Sequence, residues 1–139
     1  MTAAPISPPI PYQARELLGS AARSLLEACA TPEPNRRYAT AHLSALRAAA
    51  AVLAARAHPV RQGRIRSVWV LLPAVAPGLQ EWAAFFSANA AKRAAADAGL
   101  PVVSQREADD LVRDAETFLA QVAALLGVDQ QAILPDGRE

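Results

Sequence analysis

The sequence predicts an all-α protein: an antiparallel four-helix bundle with a short extra helix between the second and third long helices. Three observations carry this. Apolar residues recur at the i, i+3, i+4 spacing of one helix face through most of the chain. Proline and glycine punctuate the chain where those stretches end. The one run rich in β-type residues, VWVLL from Val68 to Leu72, has no second strand to pair with, so a short helix is preferred over a strand there.

The elements follow in order. Residues 1–11, with Pro5, Pro8, Pro9 and Pro11, read as an extended lead-in of polyproline II character. A first helix is expected from about Tyr12 to Ala30, its stripe formed by Leu17, Leu18, Ala21, Ala22, Leu25, Leu26 and Cys29. Pro32 and Pro34 stop it. A second helix is expected from about Arg36 to Ala57, with Asn35 as N-cap. Its core face reads as Ala39, Leu43, Leu46, Ala50 and Leu53, flanked by His42 and Ala49, with Thr40, Ser44 and Arg47 outward. A basic connector runs from His58 to Arg66. Ser67 then caps the short helix Val68–Ala76, which carries Pro73. A third long helix is expected over Gly78–Ala98, with the stripe Leu79, Trp82, Ala83, Phe86 and Ala90 and with Gly99 just past its end. Ser104 and Glu107 form a capping-box pattern that opens the last helix, which ends at Gly127. The bundle therefore spans 12–127, and 128–139 reads as a loose tail.

Composition bounds the class. The 139 residues suit one domain with its own core. Hydrophobic residues make up 53% and charged residues 19%, which argues against global disorder. Much of the apolar share is alanine, which favours helix but buries little area, so the larger residues must supply the core. Lys92 is the sole lysine among many arginines, a bias that suggests a GC-rich coding genome. The lone Cys29 excludes an internal disulfide framework or multi-cysteine zinc site, and a structural thiol, buried or half-buried, is expected. The proline-broken start has no early Lys or Arg, and no charge-free apolar run is long enough to span a bilayer. A cytoplasmic protein without a membrane partner is the expectation.

The net charge of +1 conceals a dipolar chain. Between Glu33 and Glu81 there are seven arginines (Arg36, Arg37, Arg47, Arg56, Arg61, Arg64, Arg66) and no acid. From Asp97 onward nine acids face three arginines. The basic stretch is a candidate contact for RNA phosphates or for an acidic protein partner, and the asymmetry also permits self-association. On the last helix Arg106, Asp109, Asp110, Arg113 and Asp114 read as a mixed, solvated face. Trp82, Phe85 and Phe86 read as core or dimer-interface residues.

Catalytic patterns are sparse. The only histidines are His42 and His58, no G-x-S-x-G elbow or glycine-rich phosphate loop occurs, and the Glu-x-x-His signature of di-metal bundles is absent. No metal and no cofactor are expected. One constellation stands out, Arg37-Tyr-Ala-Thr-Ala-His42. An arginine that holds a phosphate and a histidine that moves a proton are the minimum for metal-free RNA cleavage. On one helix, residues five apart point about 140° away from each other. A shared site would therefore need Arg37 in the cap region or a partner chain.

The segments RRYATAHLSALRAAAAVLAAR, SVWVLLPAVAPGLQEWAAFFSANAAKRAAADAG and SQREADDLVRDAETFLAQVAALLG resemble the HEPN superfamily, most of all a branch of small stand-alone HEPN proteins from high-GC bacteria. The resemblance covers about residues 12–127. It implies a helical bundle, often a homodimer, and in many members a metal-independent ribonuclease with an Arg-x4–6-His motif near the start of the last helix. Here the last helix offers Arg106 and Arg113 but no histidine, and the matching spacing, Arg37 and His42, lies at the start of the second helix instead. HEPN domains without the motif are expected to bind nucleotides or RNA, or to serve in assembly. The leading expectation is such a non-catalytic module, with Arg36, Arg37, Arg47 and the connector arginines toward RNA or nucleotides. The alternatives are a metal-independent endoribonuclease with a composite dimer site built on His42 and Arg37, and a structural module for protein–protein contact.

Overall fold

The structure is a computed structural model that describes residues 10–56 and 67–129. The proline-rich lead-in, most of the basic connector and the tail fall largely on 1–9, 57–66 and 130–139, outside the described residues. Among the described residues the chain is helical throughout, with no strand: α1 (Tyr12–Ala30), α2 (Pro34–Arg56), α3 (Val68–Val75), a 3-10 turn (Pro77–Leu79), α4 (Gln80–Ala88), α5 (Ala90–Asp97) and α6 (Gln105–Leu125). None of these helices is long and apolar enough to cross a membrane.

The helix ends are set locally. Pro34 takes the first position of α2, where its missing N–H is no loss. The Glu33 carboxylate, not Asn35, caps that helix by accepting the backbone N–H groups of Asn35 and Arg36 at 3.0 and 2.9 Å. The Asn35 amide instead donates to the carbonyl of Leu100 at 2.8 Å and ties the start of α2 to the α5–α6 connection. Ser67 caps α3 as expected, accepting from the Trp69 N–H. The Ser104–Glu107 capping box is complete. Gly99 and Gly127 adopt φ of 85° and 70°, the left-handed geometry in which only glycine avoids a Cβ penalty.

Packing turns these helices into the bundle. Arg37 near the start of α2 meets Ala28 near the end of α1, and Ser44 donates to the Ala21 carbonyl at 2.7 Å, so α2 returns antiparallel to α1. Lys92 meets Glu107 while Trp82 meets Gln121, so α6 runs antiparallel to the α4–α5 arm. The central element is α2, which touches α1, α3, α5 and α6.

That central position corrects the expected faces. The buried residues of α2 include Tyr38, Ala41, His42, Ser44, Ala45, Ala48, Ala49, Ala51 and Val52, whereas Leu43, Leu46 and Leu53 are only half-buried. Small side chains sit where neighbouring helices come close, and the leucines fill the margins. On α1 the buried line is Ala14, Leu18, Ala21, Ala22, Ser24, Leu25 and Ala28. Leu26 is exposed, and Cys29, expected as a buried or half-buried thiol, is exposed as well. The core position at the end of α1 belongs to Ala28, one step of about 100° away.

The expected long third helix is divided at Asn89. Its side-chain amide donates to the Phe85 carbonyl at 3.0 Å and its backbone N–H to the carbonyls of Phe85 and Phe86. This local bonding competes with the regular ladder. The break lies beside an aromatic cluster. Phe86 meets the rings of His42, Trp69, Trp82, Phe85 and Phe118 and thereby joins α2, α3, α4 and α6.

Candidate functional site

His42 and Arg37 come from the first half of α2, and the fold sends them to different surroundings. His42 is 1% exposed. Its ring stands edge-on to Trp69 and Phe86, at interplanar angles of 77° and 83°. Nε2 lies 3.0 Å from the Phe86 carbonyl oxygen. A carbonyl only accepts, so Nε2 carries the proton and Nδ1 is the bare nitrogen of a neutral imidazole. Nδ1 is buried without a hydrogen-bond partner.

Burial holds the His42 pKa below its ordinary value of 6.5, and the charge of Arg93 pushes the same way, while the Phe86 hydrogen bond and Asp97 pull against them. Below pH 6.5 the unfolded chain then binds a proton that the folded chain refuses. Stability falls as pH drops through 6.5 and stops falling from this cause below the folded pKa. Urea midpoints measured at about pH 7.5 and about pH 5.5 should show this loss, and His42→Gln should reduce it. Equal slopes in the two proteins would assign the acid sensitivity elsewhere.

Arg37 is 19% exposed and committed to the end of α1. One guanidinium nitrogen donates to the carbonyls of Ala28 and Cys29 at 3.0 Å each and reaches the Thr31 carbonyl at 3.4 Å. Its Nε lies 2.9 Å from Asp109 Oδ1 on α6, an ion pair whose N–H is not aligned for a hydrogen bond. The last carbonyls of α1, left open by helix geometry, are thus met by a cation, which also suits the negative end of the helix dipole.

The other basic candidates are dispersed. Arg47 donates to Ser24 Oγ at 2.9 Å between α2 and α1. Arg36 is exposed beside Arg37. Arg56 is exposed at the far end of α2, about 30 Å from Arg36 for a helix of that length, and reaches the Val75 carbonyl at 3.2 Å. Arg61, Arg64 and Arg66 lie outside the described residues.

A different feature emerges where the α4–α5 arm meets α6. A surface cleft of about 460 Å³ is lined by Gly78, Glu81, Trp82, Phe85, Asp114 and Gln121. It shares Phe85 and Asp114 with a neighbouring cleft of about 240 Å³ that reaches Tyr38, Asn89, Lys92 and Glu107. Together they form one trough with an aromatic floor and an acidic rim. Lys92 is ion-paired with Glu107, and Arg113 with Asp110. The Lys92 and Ser104 contacts hold the Glu107 carboxyl below its usual range, whereas burial and the Asp110 charge raise that of Asp114. Burial, with Glu107 adding to it, pushes the Tyr38 phenol up to about 12.

Sequence reasoning did not find this trough. Asp110 and Asp114 read as part of a solvated face, and Phe85 as core or interface. The available signals were the i, i+3 pair Trp82 and Phe85 beside Glu81, and the i, i+4 pair Asp110 and Asp114. That the two pairs border one trough depends on the docking of α4 on α6.

The fold and this surface define a class: a helical bundle with a sealed histidine and a surface trough, and, among the described residues, no group of His, Cys, Asp and Glu able to hold a metal. A family model for the SAV_6107-like HEPN domain matches residues 28–123. The chain belongs to this HEPN family. No match was found among curated proteins or among solved structures.

Proposed function

We propose that this HEPN domain is a non-catalytic assembly module that works by receiving a protein partner. The observation that carries the reading is the state of the two residues on which cleavage would depend. A general acid or base must reach the proton it moves. His42 is sealed beneath Trp69 and Phe86, with one nitrogen engaged by a backbone carbonyl. Arg37 is tied to the fold, with one guanidinium nitrogen on three carbonyls of the α1 end and Nε beside Asp109, and is not turned toward His42. RNA contact gains less support than assembly from the described surface, because Arg37 and Arg47 are engaged by other residues of this chain and Arg36 and Arg56 stand at opposite ends of α2. A homodimer is part of the proposal.

The test is an RNA cleavage assay in EDTA with wild-type protein and His42→Gln. No cleavage of varied RNAs by the wild type is expected. Cleavage by the wild type that disappears in His42→Gln, with circular dichroism unchanged, would replace this reading with the endoribonuclease. Tight RNA binding that weakens steeply with salt, without cleavage, would replace it with the RNA-binding module.

A further inference from the structure

We infer that the trough between α4 and α6 is a docking site for an arginine-bearing basic segment of a protein partner. The inference deepens the assembly-module reading and rests on it. The first support is the aromatic floor. Phe85 is 37% exposed, whereas Phe86, one helical step away, is fully buried. Trp82 stands at 83° to Phe85 with centroids 6.0 Å apart, so two ring systems meet nearly at right angles beside the opening. Hydrogen bonding of Trp82 Nε1 to Gln121 Oε1, at 2.9 Å, fixes the indole before any partner arrives.

The second support is charge. On the trough's rim Glu107 and Asp110 have counter-ions in Lys92 and Arg113, whereas Glu81 and Asp114 have no ion pair among the described residues. Burial and the nearby Asp110 raise the Asp114 carboxyl, and the charge of Arg113 offsets them only in part. Aromatic faces next to carboxylates that form no ion pair suit a guanidinium, which is planar, stacks on rings and offers a fork of donors to a carboxylate. Lysine matches the charge but not the fork. A phosphate backbone is repelled by the same rim, so the occupant is a protein segment and not a nucleic acid. The joined clefts, about 460 and 240 Å³, have room for more than one side chain.

The experiment is fluorescence anisotropy of the full chain with two labelled twelve-residue probes, one alternating Arg and Ser, the other Lys and Ser. The arginine probe should bind more tightly than the lysine probe. Phe85→Ala, which leaves every charge in place, and Asp114→Asn should each weaken the arginine probe by about tenfold or more, the effect of about 1.4 kcal/mol. Glu116→Gln, an exposed acid outside the trough, should leave binding unchanged. Circular dichroism checks that all variants fold. Absence of binding, or binding weakened equally by Glu116→Gln and untouched by Phe85→Ala, would overturn the proposal. Sedimentation supplies the remaining arm: a wild-type dimer dissociated by Phe85→Ala would assign the trough to a second copy of this chain, overturning the separate partner. These outcomes are independent of RNA cleavage, so the docking site and the non-catalytic reading fail separately.

Discussion

Phe86→Ala is expected to destabilise the protein by about 3–5 kcal/mol, a large fraction of the roughly 5–15 kcal/mol that holds a typical domain folded. Phe86 is fully buried, and its ring lies 5.0 to 5.7 Å from the centroids of His42, Trp69, Trp82, Phe85 and Phe118. Those five rings belong to four helices, so no single neighbour can relax into the space left by truncation. The cavity would open directly beneath the His42 imidazole, whose Nδ1 already lacks a partner. Urea unfolding followed by far-UV circular dichroism measures the loss, and near-UV signals from Trp69 and Trp82 should weaken with it. Phe86→Leu should fall between the wild type and the alanine variant. A cost below about 1 kcal/mol for Phe86→Ala would show that the cluster collapses easily and that α3 and α4 are held by other contacts.

Arg37→Ala is expected to cost about 1–3 kcal/mol through lost charge-assisted hydrogen bonds to the end of α1. The Asp109 pair adds little to this figure, because Asp109 is 41% exposed and screened by solvent. Arg37→Lys should recover only part of the loss, since a single ammonium cannot both meet the carbonyls of Ala28 and Cys29 and keep a second nitrogen beside Asp109. The measurement separates two roles for one residue. An arginine kept for a substrate phosphate leaves the urea midpoint nearly unchanged when removed, whereas a tie between helices lowers it. An unchanged midpoint in Arg37→Ala would return this side chain to the list of ligand-facing groups.

How much of this was legible varies by element and has a physical cause in each case. The bounds of α1 were readable because Pro11 and the Thr31–Pro34 turn act on their own neighbours. The capping box at Ser104, the Ser67 cap and the glycines after α5 and α6 were readable for the same reason. The buried face of α6 was readable because Leu111, Phe118, Leu119 and Val122 contrast strongly with the acids and arginines between them. The face of α2 was not. A helix made mainly of alanine gives little hydrophobic contrast, so the leucines at 43, 46 and 53 drew the expected core toward themselves. Asn35 and Asn89 show a further limit. Both have the chemistry of a cap or a turn, yet Asn35 serves a distant carbonyl and Asn89 divides a helix.

The sequence by itself determined the all-α class, the helix count to within the break at Asn89, the segregation of charge and the HEPN resemblance. The class and the helices rest on caps, prolines, glycines and periodicity, which are properties of a few consecutive residues, whereas the charge segregation and the resemblance are read along the whole chain. Tertiary structure alone decided which face of α1 and α2 is buried, that His42 is sealed while Arg37 binds the α1 end, and that Trp82, Phe85, Glu81 and Asp114 border one trough. Each of those outcomes depends on residues tens of positions apart meeting across helix interfaces. The rotation that brings them together is set by how closely small side chains let the helices approach.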